Sequence, residues 1–416
     1  MSSGETGEAP FEELKPEKQL DMRFTRWRWV MVFFASMVCF GNYFIYDNPS
    51  ALQTQIESRL NIDTTEYSQL YSVYSYPNII LPLFGGFFID YVGVRIGIVI
   101  FATFICAGQV VFALGCSAKL YWVAILGRII FGFGGESLTV SQSAIVSKWF
   151  KNQELALALG VNLTVARLGS VFNYLIEPAL YNATGSIVIG LWFGFLLCVL
   201  SLATGVIMNL VDRYRDRSLG IKDKLKLDPA DRVRLSEILH FSLSYWLISI
   251  NCLIVYVDVL PFNDIAGQFY QDRYGFSTSE SDAIVSITYA MSAVLCPLFG
   301  ILVDRVGKRG WLSNLHTVTL SALLITVVHL WFVVMPDCNA CWYSIMPMVL
   351  MGVAYSLYAA VMWASIPLVV KEEAVGTAFG VTTAIQNFGM AVAPTIMGVI
   401  KDKTTKDSGY FYVSFT

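Results

Sequence analysis

Charged residues are scarce in this sequence. Only 14% of its 416 residues are Asp, Glu, Lys or Arg, whereas 56% are hydrophobic. Because soluble domains carry about 25% charged residues, this composition excludes an ordinary soluble protein. A formal net charge of -3 gives no sign of a nucleic-acid partner. Several apolar runs of about 20 residues are each long enough to cross the hydrocarbon core of a bilayer, so we predict an all-α polytopic membrane protein surrounded by membrane lipid.

The sequence motifs of common enzymes are also missing. There is no GxxxxGK[ST] nucleotide loop, no HExxH zinc motif and no GxSxG nucleophile elbow. Most of the eight cysteines lie inside apolar runs, where cysteine is a small packing residue. Cys338 and Cys341 are close enough in the sequence for a disulfide, but a zinc site would need a second ligand pair. We therefore predict no catalytic residues, no cofactor and no metal site.

A basic, cleavable leader is absent too, because the charged residues nearest the amino terminus are acidic. We expect the first helix to remain as an uncleaved anchor. Lys and Arg cluster before the first predicted span, in residues 212–238 and after the eighth span. The positive-inside rule then places the amino terminus in the cytoplasm. Asn182 begins the sequon Asn182-Ala183-Thr184 on the opposite side and is a candidate glycosylation site.

Eleven apolar spans divide into six and five around a charged segment. We predict a cytoplasmic tail at 1–28, an N-terminal bundle at 29–211, a cytoplasmic connector at 212–240 and a C-terminal bundle at 241–416. Residues 409–413 resemble the start of another span. We therefore expect a plan of two six-helix bundles from which the last helix is missing.

Several segments of the first bundle recur in the second at a nearly constant spacing. They are 62–66 with 276–280, 82–85 with 297–300, and 90–93 with 304–307. Glycines recur as well, Gly132 with Gly352 and Gly169 with Gly389. Two bundles related in this parallel fashion are the plan of the major facilitator transporters, which predicts that fold.

Two loop motifs resemble the one that joins spans two and three in those transporters. They read Gly86-x-x-x-Asp90-Tyr91-x-Gly93-x-Arg95 and Gly300-x-x-x-Asp304-Arg305-x-Gly307-Lys308-Arg309. In that family the acid caps a neighbouring helix end and pairs with a basic residue, which stabilises one access state. The resemblance implies that the gating residues are Asp90, Arg95, Asp304, Arg305 and Lys308. Tyr91 replaces the usual basic residue, so we expect a weaker latch in the first half.

The fourth span carries several closely spaced glycines. Its motif Arg128-x-x-x-Gly132-x-Gly134-Gly135 resembles the span-four motif of the same family. Glycine lets helices approach closely, and the arginine is expected to point into the bundle. We assign structural roles to Arg128, Gly132 and Gly134.

Two charges inside the spans are not duplicated. Glu136 corresponds to Ser356 in the repeat, and Arg167 corresponds to Asn387. Charges at membrane depth are costly and mark function by default. One acid and one base on successive helices suit a zwitterion, with Glu136 toward an amine and Arg167 toward a carboxylate. The alternative is a structural ion pair of Glu136 with Arg167 or Arg128.

Residues of the second half are expected to complete the site. Asp258 is a third acid inside a span, and the nearby Tyr256 and Pro261 suggest a broken helix that lines a cavity. Trp363 lies deep enough in its span to form a cavity wall. We therefore add Tyr256 and Trp363 to Glu136 and Arg167 as predicted substrate-binding residues.

Five stretches closely resemble a more specific family, the lysosomal dipeptide transporters of the major facilitator superfamily. They are residues 43–55, 108–115, 131–138, 166–170 and 385–389. The resemblance implies a uniporter that exports dipeptides from the lysosomal lumen to the cytosol by alternating access, together with a heavily glycosylated single-pass companion subunit. It also implies that Glu136 and Arg167 hold the two ends of the peptide. The acidic dileucine sorting signal of that family is not evident here.

Two other functions stay open. A proton-coupled peptide or organic-anion symporter would use Glu136 or Asp258 as a titrating group, but the first span lacks the acids and arginine typical of proton-coupled peptide transporters. A membrane scaffold without transport would have no need of the unduplicated pair Glu136 and Arg167.

Overall fold

The computed structural model describes residues 21–150, 155–219, 238, 241–307, 311–370 and 375–403. These residues form eleven long helices and two short ones, α2 and α3, which follow the first. The helices are α1 Trp27–Tyr46, α2 Asn48–Ala51, α3 Gln53–Leu60, α4 Thr64–Val92, α5 Val94–Ala118, α6 Tyr121–Trp149, α7 Leu155–Thr184, α8 Ile187–Ser218, α9 Leu243–Tyr274, α10 Thr278–Gly307, α11 Trp311–Val334, α12 Met346–Val369 and α13 Val375–Lys403. The eleven long helices coincide with the eleven predicted spans, and the all-α prediction is confirmed.

The segments that recur in the sequence begin equivalent helices. Before α4, the Asp63 amide donates to the Glu66 carboxylate at 3.3 Å and the Glu66 amide donates back to the Asp63 carboxylate at 2.7 Å. Before α10, the Ser277 amide donates to the Glu280 carboxylate at 2.9 Å, and the Glu280 amide donates to the Ser277 hydroxyl at 3.4 Å. Both are reciprocal capping boxes, which satisfy amides that have no partner within the helix. The repeat is therefore preserved as the same N-terminal cap in each half.

The recurring glycines also pack alike. Gly132 on α6 lies against the backbone of α4, and Gly352 on α12 lies against Thr288 and Met291 of α10. Gly169 on α7 lies against the Phe40 carbonyl of α1, and Gly389 on α13 lies against two side chains of α9. Each glycine thus allows the same close helix approach in its own half. Packing in space confirms the repeat that the sequence predicted.

The two halves meet mainly through α4 against α13 and α7 against α10. Ser72 and Thr395 share a hydrogen bond of 2.9 Å, and the Thr164 hydroxyl donates to the Ala293 carbonyl at 2.9 Å. At one end, the Asp402 carboxylate accepts the Thr65 amide at 2.7 Å. We call this end, where α1 ends and α4 begins, the α3 end. Further bonds between the halves cluster there.

One expectation for helix shape is wrong, and one helix extends beyond its predicted span. The helix α9 runs without a break across Pro261, so no broken helix lines a cavity there. The helix α8 continues to Ser218, well into the segment predicted as connector, because its last turns bury Asp212 and Arg215 in ion pairs. The predicted start of a further span at 409–413 lies outside the described residues.

Candidate functional site

Arg167 lies at the interface between the two halves. It is only 7% exposed, and its Nη2 donates to the Tyr355 hydroxyl at 2.8 Å. The guanidinium carbon is 4.9 Å from the centre of the Tyr355 ring and 6.0 Å from those of Tyr43 and Tyr289. These distances are in the range of cation–π attraction. Helices of both halves, α1 and α7 from the first and α10 and α12 from the second, thus hold this buried cation.

Glu136 on α6 is half-buried and stands apart from the arginines. Within the part of the chain that the structure describes, its carboxylate has no hydrogen bond or ion pair, so it is salt-bridged to neither Arg167 nor Arg128. Tyr43 on α1 is within electrostatic range of both Glu136 and Arg167. The arrangement leaves one acid and one base near a common tyrosine without neutralising each other.

Arg128 has a different environment from Arg167, although it lies on the same helix as Glu136. It is 1% exposed and donates to the carbonyls of Leu70, Ile45 and Tyr46 at 3.0, 3.3 and 3.2 Å. The last two are carbonyls at the end of α1, which carries the negative end of the helix dipole. Five rings surround the guanidinium: Tyr46, Tyr71, Tyr74, Phe112 and Phe131. This geometry fits a structural role, in which Arg128 joins α1, α4 and α6.

The glycines of α6 allow two neighbouring helices to pack closely against it. A Cβ atom on Gly132 would collide with the Tyr74 carbonyl of α4. A Cβ atom on Gly134 would lie 2.5 Å from the Phe101 carbonyl of α5. Because backbone atoms cannot move aside as side chains do, both positions need glycine. Their packing places Glu136, one turn beyond Gly132, at a fixed height in the bundle.

The predicted aromatic residues form a wall in the second half. The Trp363 Nε1 donates to the Tyr256 hydroxyl at 2.9 Å, and the Trp363 ring stacks on Phe379 with a centroid distance of 5.9 Å. The Tyr256 ring packs edge-on against Tyr355 at 6.0 Å. Since Tyr355 holds Arg167, a continuous aromatic path joins Trp363 to the buried arginine.

Among the predicted gating residues, Arg95 lies in an ion-pair network within the first half. Its guanidinium donates from Nε to the Asp212 carboxylate at 2.6 Å and contacts Asp216. Lys148 reaches the same two acids at 2.9 and 3.0 Å, and Arg215 pairs with Asp21 at 2.9 Å. The network joins the start of α5, the end of α6 and the end of α8. The side chains of Asp90, Asp304 and Arg305, and Lys308 as a whole, lie outside the described residues.

Asp21 shows how strong this network is. Partial burial raises the pKa of its carboxyl, but hydrogen bonds from Arg215 and Arg23 outweigh burial and hold that pKa well below its usual range. Asp21 therefore stays ionised, and it ties the segment before α1 to the end of α8.

Sequence reasoning missed several partners of the site. Tyr43 and Tyr289 lie in apolar runs, where tyrosine is typical of packing, and no pattern distinguished them.

Sequence reasoning also missed buried acids near the α3 end. Asp47 is 1% exposed and lies 3.4 Å from the Tyr289 hydroxyl, whereas the carboxylates of Asp264 and Asp282 are buried without a hydrogen-bond partner among the described residues. Asp47 and Asp282 lie next to helix ends and resemble loop residues there.

Asp258, in contrast, lies away from Arg167. Its carboxylate is 3.0 Å from the His329 Nε2 of α11, and its side chain is 38% exposed. Asn182 is exposed at the end of α7 and donates to the Ser279 hydroxyl at 2.8 Å. Cys338 and Cys341 form the disulfide that their spacing allowed.

The sequence and the fold match known proteins. The family model of the Major Facilitator Superfamily matches residues 26–394. The lysosomal dipeptide transporter MFSD1 of Bos taurus is 39% identical over 386 residues, which cover 90% of this chain and 80% of that protein. Its counterparts in Homo sapiens and Danio rerio are 38% and 36% identical, each over 90% of this chain and over 79% and 81% of their own lengths.

Solved structures share the fold at much lower identity. The nucleoside transporter NupG has a TM-score of 0.69 at 11% identity, and the alignment covers 92% of this chain and 96% of that one. A POT family transporter in complex with 5-aminolevulinic acid has a TM-score of 0.68 at 14% identity, with 92% and 93% covered. At these identities the likeness concerns the fold alone.

Proposed function

Because the chain belongs to the major facilitator superfamily, we propose that this multi-pass membrane transporter carries dipeptides from the lysosomal lumen to the cytosol, as a uniporter that works by alternating access. The relatives that match most of the chain are lysosomal dipeptide transporters, which supports the substrate and the compartment. One observation carries the site assignment. Glu136 and Arg167 are charges that the repeat does not duplicate, and each interacts electrostatically with Tyr43 without pairing with the other.

Arg167 binds the carboxylate end of the peptide. Its Nη2 is bonded to Tyr355, while its Nε is buried and has no partner among the described residues. A buried donor without a partner is costly, and a carboxylate that binds the guanidinium through two oxygens satisfies it. The incoming carboxylate displaces the Tyr355 hydroxyl from Arg167.

Glu136 binds the amino end. Its side chain is half-buried, so it is partly shielded from water. A charge-assisted hydrogen bond to an ammonium group is strongest in such surroundings. The aromatic wall of Tyr256 and Trp363 then lines the space for the peptide side chains. Flat aromatic surfaces contact many side chains, which suits a transporter of dipeptides in general.

Uniport follows from the charges. A dipeptide brings one positive and one negative end to a site that holds one negative and one positive residue, so binding needs no proton to balance it. The first helix, Trp27–Tyr46, contains no acidic residue. A proton-coupled transporter would need one of its acids to gain and lose a proton within this cycle.

Alternating access involves the bonds between the halves. The α3 end is held closed by contacts such as the Ser50 hydroxyl to the Asn263 carbonyl at 3.2 Å and the Tyr67 hydroxyl to the Asp264 carbonyl at 3.1 Å. The charge rule places this end on the lumenal side and the amino terminus in the cytoplasm. The described conformation then corresponds to a state that is closed to the lumen. Arg95 with its acids, and Asp90, Asp304, Arg305 and Lys308, act as the gate on the cytoplasmic side.

Two further assignments belong to this proposal. Asn182 carries a glycan, because it is exposed at the lumenal end of α7. A glycosylated single-pass subunit accompanies the transporter, as the resemblance to the dipeptide transporters implies. Cross-linking of the protein in lysosomal membranes, followed by deglycosylation, tests both.

Dipeptide uptake into proteoliposomes tests the transport function. We expect Glu136→Gln and Arg167→Ala each to abolish uptake, while the purified variants remain monodisperse. Asp258→Asn is the matched control, since it neutralises an acid within a helix that faces His329 instead of the site. Normal uptake in both site variants contradicts the assignment.

A proton-coupled symporter is the second candidate, favoured by Asp264 and Asp282. Both are buried, and their carboxylate oxygens have no partner in the described part of the chain. A buried carboxylate without a partner is costly to keep ionised. Measurement of lumenal pH with a trapped dye during the same uptake assay decides between the two. Acidification that accompanies peptide and is lost in Asp264→Asn supports the symporter.

A further inference from the structure

A cleft lies on the outer surface of the first half, between α5 and α8. It has a volume of about 290 Å³. Its lining combines aliphatic side chains with two arginines and one asparagine: Arg95, Ile96, Val99, Ile100, Val206, Asn209, Leu210 and Arg213. Ile96, Val206 and Leu210 are exposed there. The cleft is therefore an apolar groove with a polar, basic end, and neither Glu136 nor Arg167 is among its lining residues.

The basic end coincides with the boundary of the apolar surface. Exposed aliphatic residues of α8 end at Leu210, and charged residues begin at Asp212. Arg213 follows Leu210 by less than one helical turn of about 3.6 residues. A basic residue at this depth is positioned where the phosphates of a lipid leaflet lie.

Arg213 is an excess charge at this end of the bundle. It is exposed, and neither it nor Arg217 forms an ion pair or hydrogen bond with the residues that the structure describes. Their neighbours form a network of four cations and three anions: Arg23, Arg95, Lys148 and Arg215 with Asp21, Asp212 and Asp216. The acids of this network are thus already paired, so the surface beside the cleft keeps the positive charge of Arg213.

Arg95 gives the cleft a rigid wall. Its guanidinium is held by Asp212 and Asp216 on α8, and its carbonyl accepts the Asn209 side-chain amide at 2.7 Å. The two helices that border the cleft are therefore fixed to each other at the basic end. An occupant of the cleft meets a preformed groove, which lowers the entropy that binding costs.

We propose that the cleft between α5 and α8 binds one anionic phospholipid, with an acyl chain against Val99, Val206 and Leu210 and the phosphate against Arg213. The site is separate from the peptide site and independent of what the transporter carries. Its charge selects an anionic over a zwitterionic headgroup, and its apolar part selects a lipid over a soluble phosphate. The bound lipid stabilises the packing of α5 against α8.

Thermal unfolding of the purified full chain in detergent, without peptide, tests this site. Dioctanoyl phosphatidylserine is compared with dioctanoyl phosphatidylcholine, glycerophosphoserine and inorganic phosphate. We expect only phosphatidylserine to raise the unfolding temperature in a saturable manner. Arg213→Gln should raise the half-saturating concentration of phosphatidylserine on the order of fivefold, since one arginine near a charged surface contributes about that much to binding.

Arg217→Gln is the matched control, because it removes the same charge from the same helix one turn away from the cleft. We expect it to respond like the unmodified protein, whereas Val206→Trp, which fills the groove, abolishes the response. The unfolding temperatures without lipid show whether each variant is folded. Equal weakening by Arg213→Gln and Arg217→Gln indicates diffuse attraction and overturns the site. A shift of the same size with phosphatidylcholine, glycerophosphoserine or phosphate, or no shift at all, overturns it as well.

Discussion

The two halves of the molecule use their matching positions differently. In the second half, Ser356 donates to the Gly352 carbonyl of its own helix at 2.5 Å, and Asn387 donates to the Thr383 carbonyl of its own helix at 3.0 Å. In the first half, Glu136 and Arg167 stand at these positions. Arg167 instead reaches across to Tyr355, and Glu136 has no partner among the described side chains.

This difference separates scaffold from site. The glycines and capping boxes of the repeat occur in both halves and pack the same way, so they specify the fold. The charges occur once, and among the described residues neither has a hydrogen-bond partner on its own helix. Polar groups that are satisfied locally contribute to folding, whereas a buried charge without local partners needs an external one. The peptide is that partner in the function proposed above.

The largest effect is expected from removing a charge that distinguishes the halves. Arg167→Asn, which copies the second half, should reduce dipeptide uptake at least about tenfold, because a hydrogen bond to a charged group contributes about 1.5–3 kcal/mol. Asn387→Ala removes the counterpart and should change uptake less than about threefold, since only a bond within its own helix is lost. Uptake in proteoliposomes measures both. Equal losses would break the distinction between the halves.

Substitution of the repeated glycines comes next. Gly132→Ala should destabilise the protein by about 1–3 kcal/mol, the usual cost of overpacking, because its Cβ would collide with the Tyr74 carbonyl. Gly352→Ala should cost less, since its Cβ would lie 2.8 Å from the Met291 Cβ, a milder overlap than the collision of a Gly132 Cβ with the Tyr74 carbonyl. Unfolding temperatures in detergent compare the two. A larger loss for Gly352→Ala would contradict this ranking.

Much of the fold was predictable because its signals are long and redundant. Eleven apolar runs, two sets of recurring glycines and the segments around Asp63 and Ser277 each specified the same plan. The extension of α8 was not predictable from hydropathy, because its last turns are charged and are stabilised by Arg95 and Lys148 from other helices. Nor was the continuity of α9 at Pro261, since packing against its neighbours overrides the proline.

The site was only partly predictable. Glu136 and Arg167 could be proposed from the sequence because charges are rare at membrane depth and the repeat does not duplicate these two. Tyr43, Tyr289 and the role of Tyr355 depend on which faces of α1, α10 and α12 meet at Arg167. That choice is a property of the tertiary packing, and a tyrosine in an apolar run carries no local sign of it.

A smaller effect is expected at the hydrogen bond from Arg167 of the first half to Tyr355 of the second. Tyr355→Phe removes the hydroxyl that occupies Arg167. The empty protein should lose about 1 kcal/mol of stability, while half-saturation by dipeptide should occur at a lower concentration, because the carboxylate no longer competes with that hydroxyl. Thermal unfolding with and without dipeptide measures both changes. A higher half-saturating concentration would show that Tyr355 helps to hold the peptide instead.

The smallest effects concern the two capping boxes. Asp63→Ala and Ser277→Ala should each cost about 1 kcal/mol, typical of a lost N-cap, and the two losses should be similar because the boxes are equivalent. Uptake by the folded protein should not change in either variant. A loss of uptake with normal stability would place one of these caps in the transport cycle and break the symmetry of the scaffold.

The most direct test measures which end of the peptide each charge recognises. Dipeptide binding is followed by thermal shift with the free peptide, its N-acetyl form and its C-terminal amide, for the unmodified protein, Glu136→Gln and Arg167→Gln. We predict that the unmodified protein prefers the free peptide over both blocked forms. Glu136→Gln should no longer distinguish the free peptide from its N-acetyl form, but should still prefer it over the amide. Arg167→Gln should no longer distinguish the free peptide from its C-terminal amide, but should still prefer it over the N-acetyl form. If both variants keep both preferences, or if the two losses are exchanged, the proposed roles of Glu136 and Arg167 are wrong.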